Sequence, residues 1–304
     1  MDMSLSTLSQ LFLHSAMVVY MISFVFYAVD LANSQSDFTA EAQKGTAGAR
    51  RRSITVRVSF SLTVLGFILH LGAAAFRGIE AHRMPYGNMY EFALSGTVAI
   101  VLIFLVAQFF LDLRFLGALV TGLVTLFLGV SKLGFYVPVV PLQPALDTPW
   151  LVIHITVAVL ATGFLTLSFG LSILQLLQAH REKKDPENTG KLLKFLKRLP
   201  NAVRLEDNAY RIAIIGFVFW TFTVIAGAIW AERAWSRYWG WDVKEVWSFI
   251  VWVLYAGYIH ARATRGWRGV RSGWLCVIAY TAIIFNFTIV NTMFKGLHSY
   301  SGLN

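Results

Sequence analysis

A chain of 304 residues that is 57% hydrophobic and only 14% charged, with a mean hydropathy of +0.61, has too little polar surface to cover a soluble globule, so its solvent is a lipid bilayer. The net charge of +10 raises the question of nucleic acid, but the cations sort by membrane side, which reports orientation and anionic lipid contact and excludes a nucleic-acid surface. The lone Cys276 excludes an intrachain disulfide and CxxC redox chemistry within this chain.

Apolar runs near 8–33, 54–76, 90–112, 115–133, 149–178, 208–231, 244–262 and 273–294 are each long enough for the roughly 30 Å hydrocarbon layer. The expected fold is therefore an all-α polytopic membrane protein of about eight transmembrane helices. The first run lacks a basic n-region and a small-residue cleavage site, so it reads as a permanent helix rather than a signal peptide. Segments 34–57, 113–114, 179–211 and 262–271 carry nineteen of the twenty-six lysines and arginines. The positive-inside rule assigns them to the cytoplasm and leaves both termini extracytoplasmic.

Span one carries His14 and leads into a polar loop ending in Arg50-Arg51-Arg52, an inside anchor. Span two carries His70 and opens into an external loop, His82-Arg-Met-Pro85-Tyr-Gly87-Asn88-Met-Tyr90-Glu91. Asn88 and Glu91 have the spacing of an N-cap and its N3 partner, so capping accounts for both. Spans three and four form a hairpin through Asp112-Leu-Arg114 and read as packing helices. The segment from Gly134 to Trp150 holds four of the seven prolines and cannot be helical throughout. Pro149 suits the first position of span five, which puts His154 one turn in, at the outer surface.

On the inside, Lys191, Lys194, Lys197 and Arg198 recur at helical spacing opposite Leu192, Leu193, Leu196 and Leu199, the pattern of an amphipathic helix on anionic lipid. A partner-docking helix is the rival reading. Span six then delivers the chain to the densest aromatic stretch in the sequence. Six of the ten tryptophans fall between Trp230 and Trp252, in Trp230-Ala-Glu-Arg-Ala-Trp235-Ser-Arg-Tyr-Trp239-Gly-Trp241-Asp242-Val-Lys-Glu245-Val-Trp247 and just beyond. Asp242 and Glu245 again have capping-box spacing. Span seven ends near His260, and span eight returns outward to Gly296-Leu-His298.

Of seven histidines, His180 and His82 lie in polar loops, and His14, His70 and His260 lie inside spans, where an ionisable group needs a buried partner or a function. His154 and His298 fall at the outer ends of their spans, level with the tryptophans. Two imidazoles flanking indole faces suit a haem ligated from both sides, with Arg233, Arg237 and Lys244 as candidate partners for its propionates. An interfacial aromatic belt is the other reading of the tryptophans, although a belt would spread over all the outer ends.

The stretch 230–247 resembles the tryptophan-rich WWD signature of haem-handling proteins. Its continuation through Tyr255, Tyr258, His260-Ala-Arg262 and Gly266-Trp-Arg-Gly269 is similar to the CcsA/ResC branch of system II cytochrome c biogenesis proteins. The loop His82–Glu91, the segment Pro144–His154 and Gly296-Leu-His298 resemble that branch too, and the likeness covers about 55–304. It divides the chain into a generic first helix with its basic loop (1–53) and a haem-handling transmembrane domain (54–304) with the WWD segment at 230–247. Two positions depart: the residue after Trp235 is usually glycine and is Ser236 here, and the one after Asp242 is usually proline and is Val243 here. We read the first as a small change in how closely the loop approaches its ligand, and the second as lost rigidity at a helix start.

The resemblance implies a component of a cytochrome c synthase, or haem lyase, in a bacterial plasma membrane or thylakoid. His154 and His298 would be axial ligands of a haem b displayed on a surface built from Trp235, Trp239, Trp241, Asp242 and Trp247. His260 would be one iron ligand of a haem within the membrane, with a CcsB/ResB-type membrane partner supplying the other. The acceptor would be an apocytochrome c with a CxxCH segment, its thiols kept reduced by a separate protein. His14 and His70 are not carried over as ligands. Two other classes remain at this point: a bis-histidine b-type membrane cytochrome that passes electrons, and a non-haem transporter or scaffold.

Overall fold

The computed structural model describes residues 4–33, 54–142, 148–183, 196, 199–264, 266–294 and 296–297. Among these, the regular elements are helical: α1 (Leu5–Asn33), α2 (Ile54–Ala81), α3 (Met89–Ala107), α4 (Gly117–Gly134) preceded by a 3₁₀ turn (Arg114–Leu116), α5 (Pro149–Lys183), α6 (Ala202–Trp235), α7 (Val243–Ala263), α8 (Val270–Phe287) and a short α9 (Ile289–Met293). These correspond one to one with the eight apolar runs, with α8 and α9 sharing the last. Seven helical segments are long and apolar enough to cross a membrane. The eighth candidate, α7, has the length, and its hydropathy is lowered by Trp247, Trp252, Tyr255, Tyr258 and His260. The protein is an all-helical, polytopic membrane protein.

The helix limits differ from the hydropathy runs where a cap decides them. Helix α6 starts at Ala202, six residues before the apolar run, because the Asn201 side chain accepts from Arg204 N at 2.9 Å and satisfies a donor the first turn leaves open. Helix α3 stops at Ala107 rather than near 112. There Gln108 folds back, donating to Phe104 O (3.1 Å) and accepting from Leu113 N (3.1 Å).

Two apolar cores share α5 as a common wall. One joins α1 to α4 with the inner half of α5 and the start of α6, through Leu13, Tyr20, Leu94, Phe104, Leu116 and Leu171. The other joins α5 to α8 through Leu165, Trp220, Val251, Tyr255 and Tyr280. Gly163 of α5 makes the first contact close, since a Cβ there would lie 2.6 Å from Ile103 Cδ1. Leu196 and Leu199, read from sequence as lipid-facing, are buried in the first core; the remaining positions of the 190–199 segment lie outside the described residues, as does the Arg50–Arg52 cluster.

The helices alternate in direction. One end gathers the start of α1, the α2–α3 loop, the end of α4 and the α6–α7 loop, tied by Gln10 Nε2 donating to Tyr136 OH (2.8 Å) and by Arg77 Nη2 donating to Val137 O (2.9 Å). The opposite end is closed by buried Arg262, paired with Glu206 at 2.7 Å and with Asp207, while Gly269 N donates to Glu206 Oε1 (2.9 Å).

Candidate functional site

The α2–α3 loop is fixed by charge. Asn88 caps α3, accepting from Glu91 N at 2.9 Å, as its spacing predicts. Glu91 does more than cap. It is fully buried, pairs with Arg77 (2.9 Å) and Arg83 (2.6 Å), and accepts from Gly87 N (2.7 Å). Arg77, itself 2% exposed, lies over the Tyr90 and Tyr136 rings at 5.5 and 5.9 Å. The apolar run ends at 76, so the sequence left Arg77 beyond the span; the helix continues to Ala81, and an arginine buried there needs the partner that Glu91 supplies.

The α6–α7 loop is built on the same plan. Helix α6 ends on Ser236 in the left-handed region (φ 54), so the glycine usual at this position supplies conformational freedom. This gives position 236 a backbone role at the helix end, beside its reading as a matter of ligand approach. Asp242 and Glu245 form the expected capping box, and Val243 is the first helical residue, where proline is tolerated. Glu245 accepts from Gly240 N (2.8 Å) and Asp242 N (3.1 Å) and pairs with Arg237 (3.0 Å). Trp241 also adopts positive φ (59) and is 77% exposed.

Between these loops lies a cavity of about 390 Å³, lined among others by Tyr86, Met89, His154, Trp230, Trp239 and Lys244. Its walls are mostly apolar with a few polar groups, the usual make-up of a small-molecule site. His154 stands one turn into α5, as Pro149 predicted. Its Nδ1 lies 3.0 Å from Thr223 O; because a carbonyl only accepts, Nδ1 is the donor, and in the neutral ring Nε2 is then the nitrogen through which an imidazole ligates a metal. The ring stacks on Trp230 (5.8 Å, 19°) and packs on Gly227, where a Cβ would lie 2.9 Å from Cε1.

The four tryptophans expected to form one surface divide their tasks. Trp239 lines the cavity and meets Trp241 edge-on at 5.8 Å. Trp235, the last residue of α6, packs against Trp230 of the same helix (5.0 Å), and Trp247 of α7 against Phe285 of α8 (4.3 Å), so these two brace the helix ends between which the loop runs. Asp242 caps α7 through Oδ2 and accepts from Leu297 N through Oδ1 at 3.1 Å. His298, next in the chain after Leu297, lies outside the described residues. Of the candidate cations, Arg233 lies over Trp150 (5.6 Å), Arg237 is paired with Glu245, and Lys244 Nζ, on the cavity wall, donates to Asn286 O (2.8 Å) and Asn291 Oδ1 (2.9 Å), neither of them an anion.

The histidines inside spans fall elsewhere. His70 is fully buried between Tyr20 OH (3.4 Å from Nδ1) and Thr97 Oγ1 (3.4 Å from Nε2). His14 is exposed on the flank of α1, and His260 is exposed on the inner part of α7, on the face opposite Tyr255, Tyr258 and Arg262.

A helical membrane protein with an apolar cavity walled by a histidine and a tryptophan-rich loop defines the class. Comparison with known proteins places it further: the profile of the cytochrome C assembly protein family matches residues 86–298, and the chain belongs to that family. It is similar to the cytochrome c biogenesis protein CcsA of Guillardia theta, 32% identical over 260 residues and covering 81% of this chain and 86% of the relative. It is similar also to that of Gloeobacter violaceus, 28% identical over 306 residues and covering 85% and 90%. Among solved structures, the cytochrome c haem lyase CcmF superposes with a TM-score of 0.67 over 99% of this chain and 49% of that longer one, at 15% identity, a likeness of fold. The protein is an integral membrane protein of cytochrome c assembly.

Proposed function

We propose that this protein binds haem b at the cavity and presents it for covalent attachment to an apocytochrome c. The observation that carries the reading is the convergence of His154, Trp239 and both cap-bearing loops on one cavity. Leu297, the residue before His298, is tied to the same loop. In this reading His154 and His298 ligate the iron from opposite faces, Trp239 covers the porphyrin, Trp235 and Trp247 support the loop, and Lys244 is the cation nearest the propionates. The haem is the substrate. Each cysteine thiol of a CxxCH segment adds across a vinyl group, its sulfur bonding one carbon and its proton going to the other. The segment's histidine then replaces one of the two ligands, and the product leaves.

In this reading the cavity and both chain ends lie on the extracytoplasmic side of a bacterial plasma membrane or a thylakoid membrane, which the excess of lysine and arginine in the opposite loops supports. Residues 54–304 form the haem-handling unit, with 1–53 a helix and loop added to it. His260, exposed near the cytoplasmic end of α7, ligates a second haem within the bilayer when a CcsB/ResB-type partner packs there and supplies the opposite imidazole. The electron-transferring alternative needs two facing histidines at one depth, whereas His70 is occupied by Tyr20 and Thr97. The test is reconstitution with such a partner, haem and a reduced CxxCH peptide. Thioether-linked product is expected, and product that forms equally well without this protein would exclude the proposal.

A further inference from the structure

We infer that Asp242 and Lys244 are positioning residues that tie the chain through Leu297 to the start of α7, so that the aspartate of the WWD motif acts through the residue that follows, His298, rather than on the haem itself. This rests on the reading of His298 as an iron ligand. Capping α7 requires one acceptor oxygen, which Ser, Thr or Asn would supply equally well. Asp242 has two oxygens in use: Oδ2 accepts from Lys244 N (3.3 Å) and Oδ1 from Leu297 N (3.1 Å), a residue 55 positions away. Only a carboxylate of this length offers two acceptors with no donor facing the second N–H. Gly296 completes the fit, because a Cβ there would stand 2.2 Å from Asp242 Oδ1.

Lys244 holds the same segment one step upstream. The last span breaks at Thr288 (φ −90, ψ −74) between α8 and α9, and a break leaves helix carbonyls short of their usual donors. Lys244 Nζ donates to one of them, Asn286 O, and to the side chain of Asn291 on α9. Within three residues of the WWD loop, two side chains therefore set the direction in which the chain leaves the last span and the point at which it returns to the start of α7.

The test separates capping from positioning. Spin labels on Phe249→Cys and Leu297→Cys, both exposed, report the segment without haem, while the absorption spectrum of haem-loaded protein reports His298. In Asp242→Ser the cap survives and the second acceptor is lost. We expect an unchanged melting temperature, a broadened distance distribution, and roughly a tenfold shift toward the spectrum of His298→Ala, with added imidazole restoring six-coordination. Gly296→Ala should act likewise in the native background and add nothing in Asp242→Ser, since the atom it strikes is gone. Lys244→Met should broaden the distribution to a smaller extent. An unchanged distance distribution in Asp242→Ser overturns the inference. A broadened distribution in a protein whose spectrum ignores His298→Ala overturns the ligand reading and leaves the tie standing.

Discussion

The two loops that face the cavity share one design and differ in how deeply it is buried. Each begins with a non-glycine residue in the left-handed region closing a helix (His82, φ 51; Ser236, φ 54), continues with an arginine (Arg83; Arg237), and offers a glycine N–H to a glutamate that pairs with that arginine. In both, the helix cap follows the arginine by five residues and the glutamate by eight. The first loop places its glutamate out of contact with solvent and adds a second arginine; the second leaves Glu245 8% and Arg237 29% exposed and replaces the neutral cap Asn88 with Asp242, which reaches the C-terminal segment. One loop is a fixed wall and the other a fixed wall with a long-range tie. The difference teaches that the same local grammar serves stability in one place and site assembly in the other.

Glu91→Gln should break the comparison most. It removes the charge that neutralises two buried or half-buried arginines, at a cost of about 3–5 kcal/mol, read as a large fall in melting temperature in detergent. Glu245→Gln, at a partly solvated pair, should cost only about 1–2 kcal/mol; equal losses in the two variants would contradict the burial difference. Gly227→Ala should leave stability nearly unchanged yet push the His154 ring from Thr223 O, altering the spectrum of bound haem. Smallest are the gains from restoring the residues usual in the family. Ser236→Gly relieves a left-handed residue and Val243→Pro preorganises the first turn of α7, each by about 0.5–1 kcal/mol, seen as a slightly raised melting temperature.

The helices were legible because length and hydropathy decide them, and both caps were legible because their spacing is local. His154 was placed by Pro149 for the same reason. The pairing of Arg77 with Glu91, the Leu297–Asp242 bond, the break at Thr288 and the burial of Leu196 and Leu199 depend on which helices meet, and no periodicity within a segment encodes that. The tryptophans mark the intermediate case. Their density pointed to a site, yet whether an indole lines the cavity, as Trp239 does, or braces the loop, as Trp235 and Trp247 do, follows from neighbours on α6 and α8. The repeated arginine-to-glutamate spacing of the two loops was open to view in the sequence, and its meaning came only from seeing both face one cavity.

The central claim is that a haem is held between His154 and His298, and the electronic absorption spectrum of haem-loaded protein tests it most directly. The account predicts a six-coordinate, low-spin spectrum in the native protein, converted toward five-coordinate, high-spin by either His154→Ala or His298→Ala and restored in each by added imidazole. Retention of the native spectrum by both variants would contradict it.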